Sequence, residues 1–233
     1  MANDRIRFGI PDNELDDLRL LAHIKKEDFE SLIAAIGEEK PTLDGVGLSK
    51  SVASRTNLPL NTVSPILSLL RTFATIQRRL GSSADAFLSD LSRILVQKGP
   101  EKWSPEDARD LDNRLESLKQ ALKPEGTLAY AAKAADLLLE QQSVFCRSRV
   151  ITDMRPVFNE QADTIQGFLP FHTLAVRYHE GSETKETHIA MDFNDLVILR
   201  DQLTRAEQKE RILASSMAAK GWLVIQTGAD KDA

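Results

Sequence analysis

The sequence predicts an α+β protein in which an N-terminal all-α helical bundle precedes a small three-stranded antiparallel sheet and a long C-terminal helix. Apolar residues recur at intervals of three and four along most of the first 139 residues, which is typical of packed helices. From residue 172 to 191 the interval becomes two, which indicates a β-hairpin, and an apolar stripe at helical spacing follows. The 233 residues suit two modest domains or one large one. We predict a helical domain over 1–142, a β-β-β-α dimerisation domain over 143–220 and a tail over 221–233.

The helical part is expected to contain about seven helices, counted from their start and stop signals. Pro11 and Asp12 are typical of a helix start, and Gly37 is expected just past the end of the second helix. Ser104, followed by a proline and two acidic residues, is a strong helix start, after which apolar residues continue at helical spacing to Leu122. The short connections between these segments favour a compact bundle.

The first predicted strand spans Val144–Glu160 and contains many apolar residues. Pro156 lies inside it, and because proline cannot donate a backbone hydrogen bond, it indicates a sheet edge, a bulge or the end of the strand. The next segment, Asn159–Pro170, is polar and is expected to be an irregular link between the first and second strands.

The second and third strands form the clearest hairpin of the chain. Gly181–Ser182 provides the small residues that a tight turn requires. This turn places Arg177 opposite Glu186 and Leu174 opposite Ile189. One face of the hairpin is therefore predicted to be apolar, and the other is predicted to carry an ion pair between the strands.

The long C-terminal helix is predicted to begin after Asp192, whose carboxylate caps the first turn, with Asp195 favoured by the positive helix end. An apolar stripe then runs along the helix through Leu196, Leu199, Leu203, Ala206, Leu213 and Met217. Two interpretations stay open at this point. Either the stripe covers the apolar face of the sheet, or part of it packs against a second subunit.

Three strands and one helix provide a thin core for independent stability. We therefore predict that the C-terminal domain associates with itself, as a homodimer or larger assembly. The residues expected to carry this association are apolar and lie at strand or helix spacing: Val150, Met154, Leu174, Val176, Ile189, Leu199 and Leu203.

The passage from the third strand into the long helix has a recognisable order of residues. The order is His188–Asp192, then Asp195, Leu196, Leu199, Leu203 and Ala206, with Ser148–Asp153 and Leu174–Tyr178 upstream. It resembles the COMM domain, whose family joins a variable helical N-terminal domain to three antiparallel strands and a helix. The resemblance implies the fold of the C-terminal third, assembly into dimers or higher complexes with itself or with related protein subunits, and a scaffolding role.

A DNA-binding regulator is the alternative hypothesis, because residues 48–79 have the spacing of a helix-turn-helix. Ala53, Asn57 and Val63 match the small residue, the turn residue and the buried anchor of that motif. Residues 45–84 include five basic side chains and no acidic ones, as phosphate contacts require. In this alternative the C-terminal domain is the dimeriser, and the nucleic-acid contacts come from Lys50, Arg55, Asn61, Thr62 and Ser64.

Two features of the same segment favour an ordinary pair of packed helices instead. Pro65 falls inside the second helix, where it removes a backbone donor. The start of that helix also lacks an arginine that would read guanine edges. We therefore rank DNA binding below self-association.

No residue pattern predicts catalysis or a bound metal. The chain has no phosphate-binding P-loop, no dinucleotide glycine fingerprint, no nucleophile elbow and no zincin motif. His179 and His188 share a face of the predicted hairpin but lie on the order of 10 Å apart, too far for one ion, and His172 is on the opposite face. We expect no enzymatic activity, no catalytic residues, no cofactor and no metal.

Composition favours a cytoplasmic protein. The net charge of −5 gives no general attraction to nucleic acid or acidic membranes, and Cys146, the single cysteine, suits a reducing compartment. No apolar run has the length of a signal peptide core or a membrane span. The short apolar run Trp222–Ile225 has three possible fates, which are docking on the domain, pairing as an added strand, or hanging free.

Overall fold

The computed structural model describes residues 8–225 and 227 and confirms the α+β class, with a helical N-terminal part, an antiparallel sheet of three strands and a long C-terminal helix. The chain divides into two compact units, of which the first runs to Leu137 and the second spans Leu138–Val224. The start of the chain up to residue 7 lies outside the described residues. Position 226 and positions 228–233 of the predicted tail also lie outside them.

The first unit consists of helices joined by short connections. A 3-10 turn over Asp12–Glu14 precedes α1. The helices are α1 (Leu15–His23), α2 (Lys26–Glu38), α3 (Gly45–Arg55), α4 (Leu60–Leu80), α5 (Ala84–Gln97), α6 (Pro105–Asp112), α7 (Leu115–Ala121) and α8 (Thr127–Leu139). Their apolar faces form one core, in which the least exposed side chains include Phe29, Leu32, Val52, Ile66, Leu70, Phe87, Leu91, Leu111 and Leu118. The periodic apolar stretches of the sequence therefore become the buried faces of a bundle.

The expected single helix after Ser104 is instead two helices, α6 and α7. Its start is confirmed, because the Ser104 hydroxyl accepts from the Asp107 amide at 3.1 Å and the Asp107 carboxylate accepts from the Ser104 amide at 2.9 Å. The break falls at Asn113 and Arg114. The side chain of Arg114 is buried, and its guanidinium donates to the backbone carbonyl of Ile24 at the end of α1. A buried cation requires such an acceptor, and a contact of this kind is not visible in apolar periodicity.

The expectation that Gly37 lies past the end of α2 is wrong, since α2 continues through Gly37 to Glu38. The carboxylates of Glu38 and Glu39 pair with Arg55 of α3, which holds this end of the helix. Gly81 ends α4 in the left-handed conformation, with φ of +59°, and its amide donates to the Arg78 carbonyl at 3.0 Å.

Substituting alanine at Gly37 and at Gly81 should change the stability of the bundle in opposite directions. Gly37→Ala should stabilise the bundle by about 0.5 kcal/mol, because the new Cβ meets no atom within 4 Å and alanine favours helix. Gly81→Ala should destabilise it by about 1 kcal/mol, because alanine is strained at positive φ. Urea unfolding followed by the fluorescence of the buried Trp103 measures both changes. Equal shifts for the two variants would contradict the assignment of Gly81 as the helix terminator.

The second unit contains strands β1 (Val144–Phe158), β2 (Ile165–Glu180) and β3 (Glu183–Met191), in the order β1-β2-β3, followed by α9 (Phe193–Ala219). The predicted hairpin register is confirmed, with Arg177 opposite Glu186 and Leu174 opposite Ile189. The predicted cap of α9 is also confirmed, since the Asp192 carboxylate accepts from the Asp195 amide at 2.9 Å.

The link between β1 and β2 is shorter than the sequence suggests. It covers only residues 159–164, and β2 begins at Ile165 rather than after Pro170. The side chain of Asn159 organises the turn by accepting from the amides of Asp163 at 3.1 Å and Thr164 at 3.3 Å. Pro156 lies inside β1, which is an edge strand of the sheet. An edge position is one of the three that the sequence predicted for a residue without a backbone N–H donor.

The sheet has two chemically different faces. Residues paired directly across strands share a face, so Val150, Leu174 and Ile189 lie together on one of them. We call this side the apolar face, and its apolar members are Val150, Met154, Phe168, Leu174, Val176 and Ile189, with Ser148, Thr152 and His172 on the same side. The opposite side is the arginine face, which includes Arg147, Arg149, Arg155, Ala175, Arg177 and Glu186, together with Asp153 and the apolar residues Ile151, Val157, Leu169 and Phe171.

Candidate self-association surface

The residues that the structure describes leave much of the apolar face of the sheet exposed. Val150 and Ile189 are each 49% exposed and Met154 is 60% exposed, while Leu174 and Val176 are half-buried. These are the five sheet residues that the sequence predicts for self-association, and the pairing of the strands brings them to one side. An apolar surface of this extent on a small sheet is unusual unless another molecule covers it.

Helix α9 does not supply the missing cover. None of its residues is buried, Leu199 is half-buried, and Leu203 is 58% exposed. In the described part of the second unit, only Ala175 and Met191 are buried. The sequence left open whether the apolar stripe of α9 covers the sheet or packs against a second subunit. In the structure the stripe does not cover the sheet.

Sequence reasoning missed several exposed apolar side chains of the same unit. Phe168 lies on the apolar face opposite Pro156 and is 59% exposed. It was assigned to an irregular link, although the alternation of Phe168 with Leu174 and Val176 at even positions is a signal that a longer strand would have explained. Further exposed apolar residues of the unit that the sequence did not assign to this surface include Phe145, Leu169, Phe193, Ile198 and Ile212.

The helix pair that suggested DNA binding is formed by α3 and the start of α4. Val63 is fully buried and Ala53 packs against the core, as the spacing predicts. Asn57, however, does not adopt a positive φ, since Ala162 is the only described residue other than glycine that does so. Pro65 lies within α4, near its start. These features fit two packed bundle helices.

The basic stretch around this helix pair is partly neutralised by acids from other parts of the chain. Arg55 pairs with the carboxylates of Glu38 and Glu39, the latter at 3.3 Å. Arg78 and Arg79 both pair with Asp136 of α8, at 2.8 and 3.6 Å. Of the predicted nucleic-acid contacts, Asn61 and Ser64 are exposed, Thr62 is half-buried, and Lys50 forms no ion pair with any described residue. The positive surface expected from residues 45–84 is therefore smaller than the sequence suggests.

A histidine bound by two carboxylates joins α1 to α6. His23 Nε2 lies 2.7 Å from Asp107 Oδ1, and His23 Nδ1 lies 2.8 Å from Asp110 Oδ2. Arg19 also approaches Asp107, at 3.7 Å. The hydrogen bond to Asp107 is the main cause that raises the pKa of His23, with Asp110 adding to it and burial opposing it. Both ring nitrogens donate to carboxylates only when the imidazole is protonated.

Stability of the bundle should therefore fall with rising pH. The pKa of His23 is raised above its unfolded value, so the stabilisation is complete below about pH 6.5 and is lost as the pH rises through the folded-state pKa. Urea midpoints at about pH 6 and about pH 8 should differ for the native sequence, and His23→Gln should reduce the difference. His172→Gln, on the sheet, is the matched control. A pH dependence that persists in His23→Gln would show that another group is responsible.

The other histidines do not come together as metal ligands. His172 lies next to Thr152 at 2.9 Å, His179 next to Thr184 at 3.2 Å, and His188 next to Glu186 at 3.3 Å. Across residues 8–225, no three His, Cys, Asp or Glu side chains are grouped as a metal ion would need. The thiol of Cys146 is exposed in β1.

Two comparisons with known proteins found no match. No family model matches the sequence, and no curated protein matches it either. Among the helices that the structure describes, none combines the length and apolar character needed to cross a membrane. The fold and its surface define the class of the protein as α+β, with a helical bundle and a β-β-β-α unit whose apolar sheet face is uncovered.

Proposed function

We propose that this protein is a non-enzymatic, cytoplasmic interaction and scaffold protein that associates with itself through its C-terminal β-β-β-α unit. The observation that carries the proposal is the uncovered apolar face of the sheet together with a 27-residue helix, α9, that buries none of its side chains. In isolation such a unit leaves most of its apolar surface in water, which is the condition that association relieves.

The size of the effect supports association of two copies. Full burial of a large apolar side chain contributes about 1.5–3 kcal/mol, so a half-exposed one contributes about half of that on association. Several such residues are needed, because association costs about 4–15 kcal/mol of lost freedom. Met154, Phe168 and Leu203 are each more than half exposed, and further exposed residues lie on the same elements. A surface with this many residues is large enough to offset the cost.

The COMM resemblance suggests how the protein is used. A COMM-like unit paired with a variable helical domain would form dimers or larger complexes, in which the bundle presents a surface to other proteins. The bundle buries its own core, as a domain held in such a scaffold would need to do.

Multi-angle light scattering on the full chain between about 1 and 100 µM tests the proposal over the range of weak to tight association. A mass of two or more chains that falls on dilution is the expected result. A single-chain mass throughout this range would remove the proposal.

A duplex-binding assay in low salt, with Lys50→Glu and Arg55→Glu variants, is the parallel test of the DNA-binding alternative.

A further inference from the structure

The arginine face of the sheet contains a depression of about 350 Å³ that the proposed self-association does not use. Arg147 and Arg149 of β1 and Arg177 of β2 line it, together with Glu186 of β3. Ala175 also lines it and is only 3% exposed. Because this depression lies on the opposite side from the apolar face, both surfaces are available in the same molecule.

A β-bulge aims Arg147 into this depression. Phe145 pairs with Tyr178 and Arg147 pairs with Arg177, so Cys146 is an extra residue that has no partner in the ladder. Without the extra residue, Arg147 would fall on the apolar face, since side chains alternate along a strand. Bulges commonly redirect a side chain at functional positions. Here the bulge collects three guanidinium groups on one side.

The positive charge of this cluster exceeds the negative charge near it. Glu186 accepts from Arg177 Nε at 3.0 Å and Nη2 at 2.7 Å, and this hydrogen bonding is the main cause that lowers the pKa of Glu186. Arg149 also contributes to lowering that pKa, but neither Arg147 nor Arg149 has an ion pair within 4 Å among the described residues.

The pairing of Arg147 with Arg177 does not favour folding. Arg147 and Arg177 are direct neighbours across the strands, and like charges in that position are destabilising. A role in binding accounts for the cluster, because arginine forks match carboxylates in a bidentate geometry.

We propose that the arginine face docks an acidic segment of a different protein, with adjacent carboxylates on Arg147 and Arg149. Charge complementarity supports this occupant, since two guanidinium groups lack anionic partners in a chain of net charge −5. The α9 helix of a second copy is a poorer fit, because its four acidic residues are interspersed with four basic ones. The proposal does not depend on self-association.

Fluorescence anisotropy with a labelled peptide of eight glutamates tests this on the full chain in low salt. Binding to the native sequence should weaken by about tenfold or more in Arg147→Glu/Arg149→Glu, and it should weaken as salt is added. Lys123→Glu/Lys133→Glu is the control, because it makes the same charge change at two exposed lysines of the first unit that have no ion pair in the described residues. Arg147→Lys/Arg149→Lys should lose part of the affinity, since the charge stays but the fork is lost.

The reversed variant is expected to fold, because a glutamate at position 147 faces Arg177 as an opposite charge. Circular dichroism checks this. Equal peptide affinity in the two glutamate variants would overturn the proposal, as would failure of the native chain to bind the peptide at about 100 µM. A single-stranded oligonucleotide of equal charge that binds much more tightly at the same arginines would assign the surface to nucleic acid instead. Peptide binding by a chain that light scattering finds monomeric would sustain this site and remove only the self-association proposal.

Discussion

If the chain associates as we propose, Leu203→Asp should convert the assembly into monomers at concentrations where the native sequence is paired. Leu203 is 58% exposed on α9, so most of its side chain already lies in water and the substitution should perturb folding of the chain little. On association it places a carboxylate where an apolar side chain was to be buried. The lost burial and the desolvated charge together should weaken association by roughly 100-fold or more.

The matched control for this substitution is Val96→Asp. Val96 is 63% exposed on α5 of the bundle, so the chemical change is similar and the surface is different. Sedimentation velocity across a dilution series measures both variants. If Val96→Asp dissociates the protein and Leu203→Asp does not, the association surface lies on the bundle and our assignment of the residues is wrong.

Phe87→Ala should destabilise the bundle by about 3–5 kcal/mol, the typical effect of removing a buried phenylalanine. Phe87 is fully buried on α5, where its ring lies 5.2 Å from that of Phe8 and 5.6 Å from that of Phe73. Removing the ring leaves a cavity and takes away both aromatic contacts.

Trp103 provides the measurement, because it is buried in the bundle while Trp222 is 68% exposed. Urea unfolding in a Trp222→Phe background therefore follows the bundle alone, which matters in a chain of two units. Phe168→Ala, on the apolar face, should leave this transition in place. A change below about 1 kcal/mol for Phe87→Ala would show that the core relaxes around the lost ring more fully than buried sites usually do.

The sequence predicted those features that depend on neighbours along the chain. The hairpin register follows from a Gly-Ser turn and from the alternation of apolar and polar residues. The structure confirms this register, with Arg177 opposite Glu186. The caps at Ser104 and Asp192 were predicted for the same reason, since a capping side chain bonds an amide only three residues away. The apolar residues proposed for self-association were also assigned correctly to the sheet and to α9, because periodicity identifies residues that share a side.

Features that depend on distant residues could not be predicted. The break at Arg114 reflects a hydrogen bond to Ile24, and the loss of positive charge near Arg78 reflects a pair with Asp136. The position of Phe168 on the apolar face depends on the start of β2, which the polar composition of the link concealed. The bulge at Cys146 reverses the facing of Arg147, and only the pairing of β1 with β2 reveals it.

Periodicity and capping chemistry predicted the α+β class, the hairpin register and most residues that share a face, because these features depend on neighbours along the chain. The division into α6 and α7, the start of β2 and the facing of Arg147 became visible only in the fold. The same holds for burial: among the described residues the bundle helices cover one another, whereas much of the apolar face of the sheet and of the α9 stripe is exposed. Burial depends on which elements meet in space, and a pattern along one strand or helix carries no information about its partner.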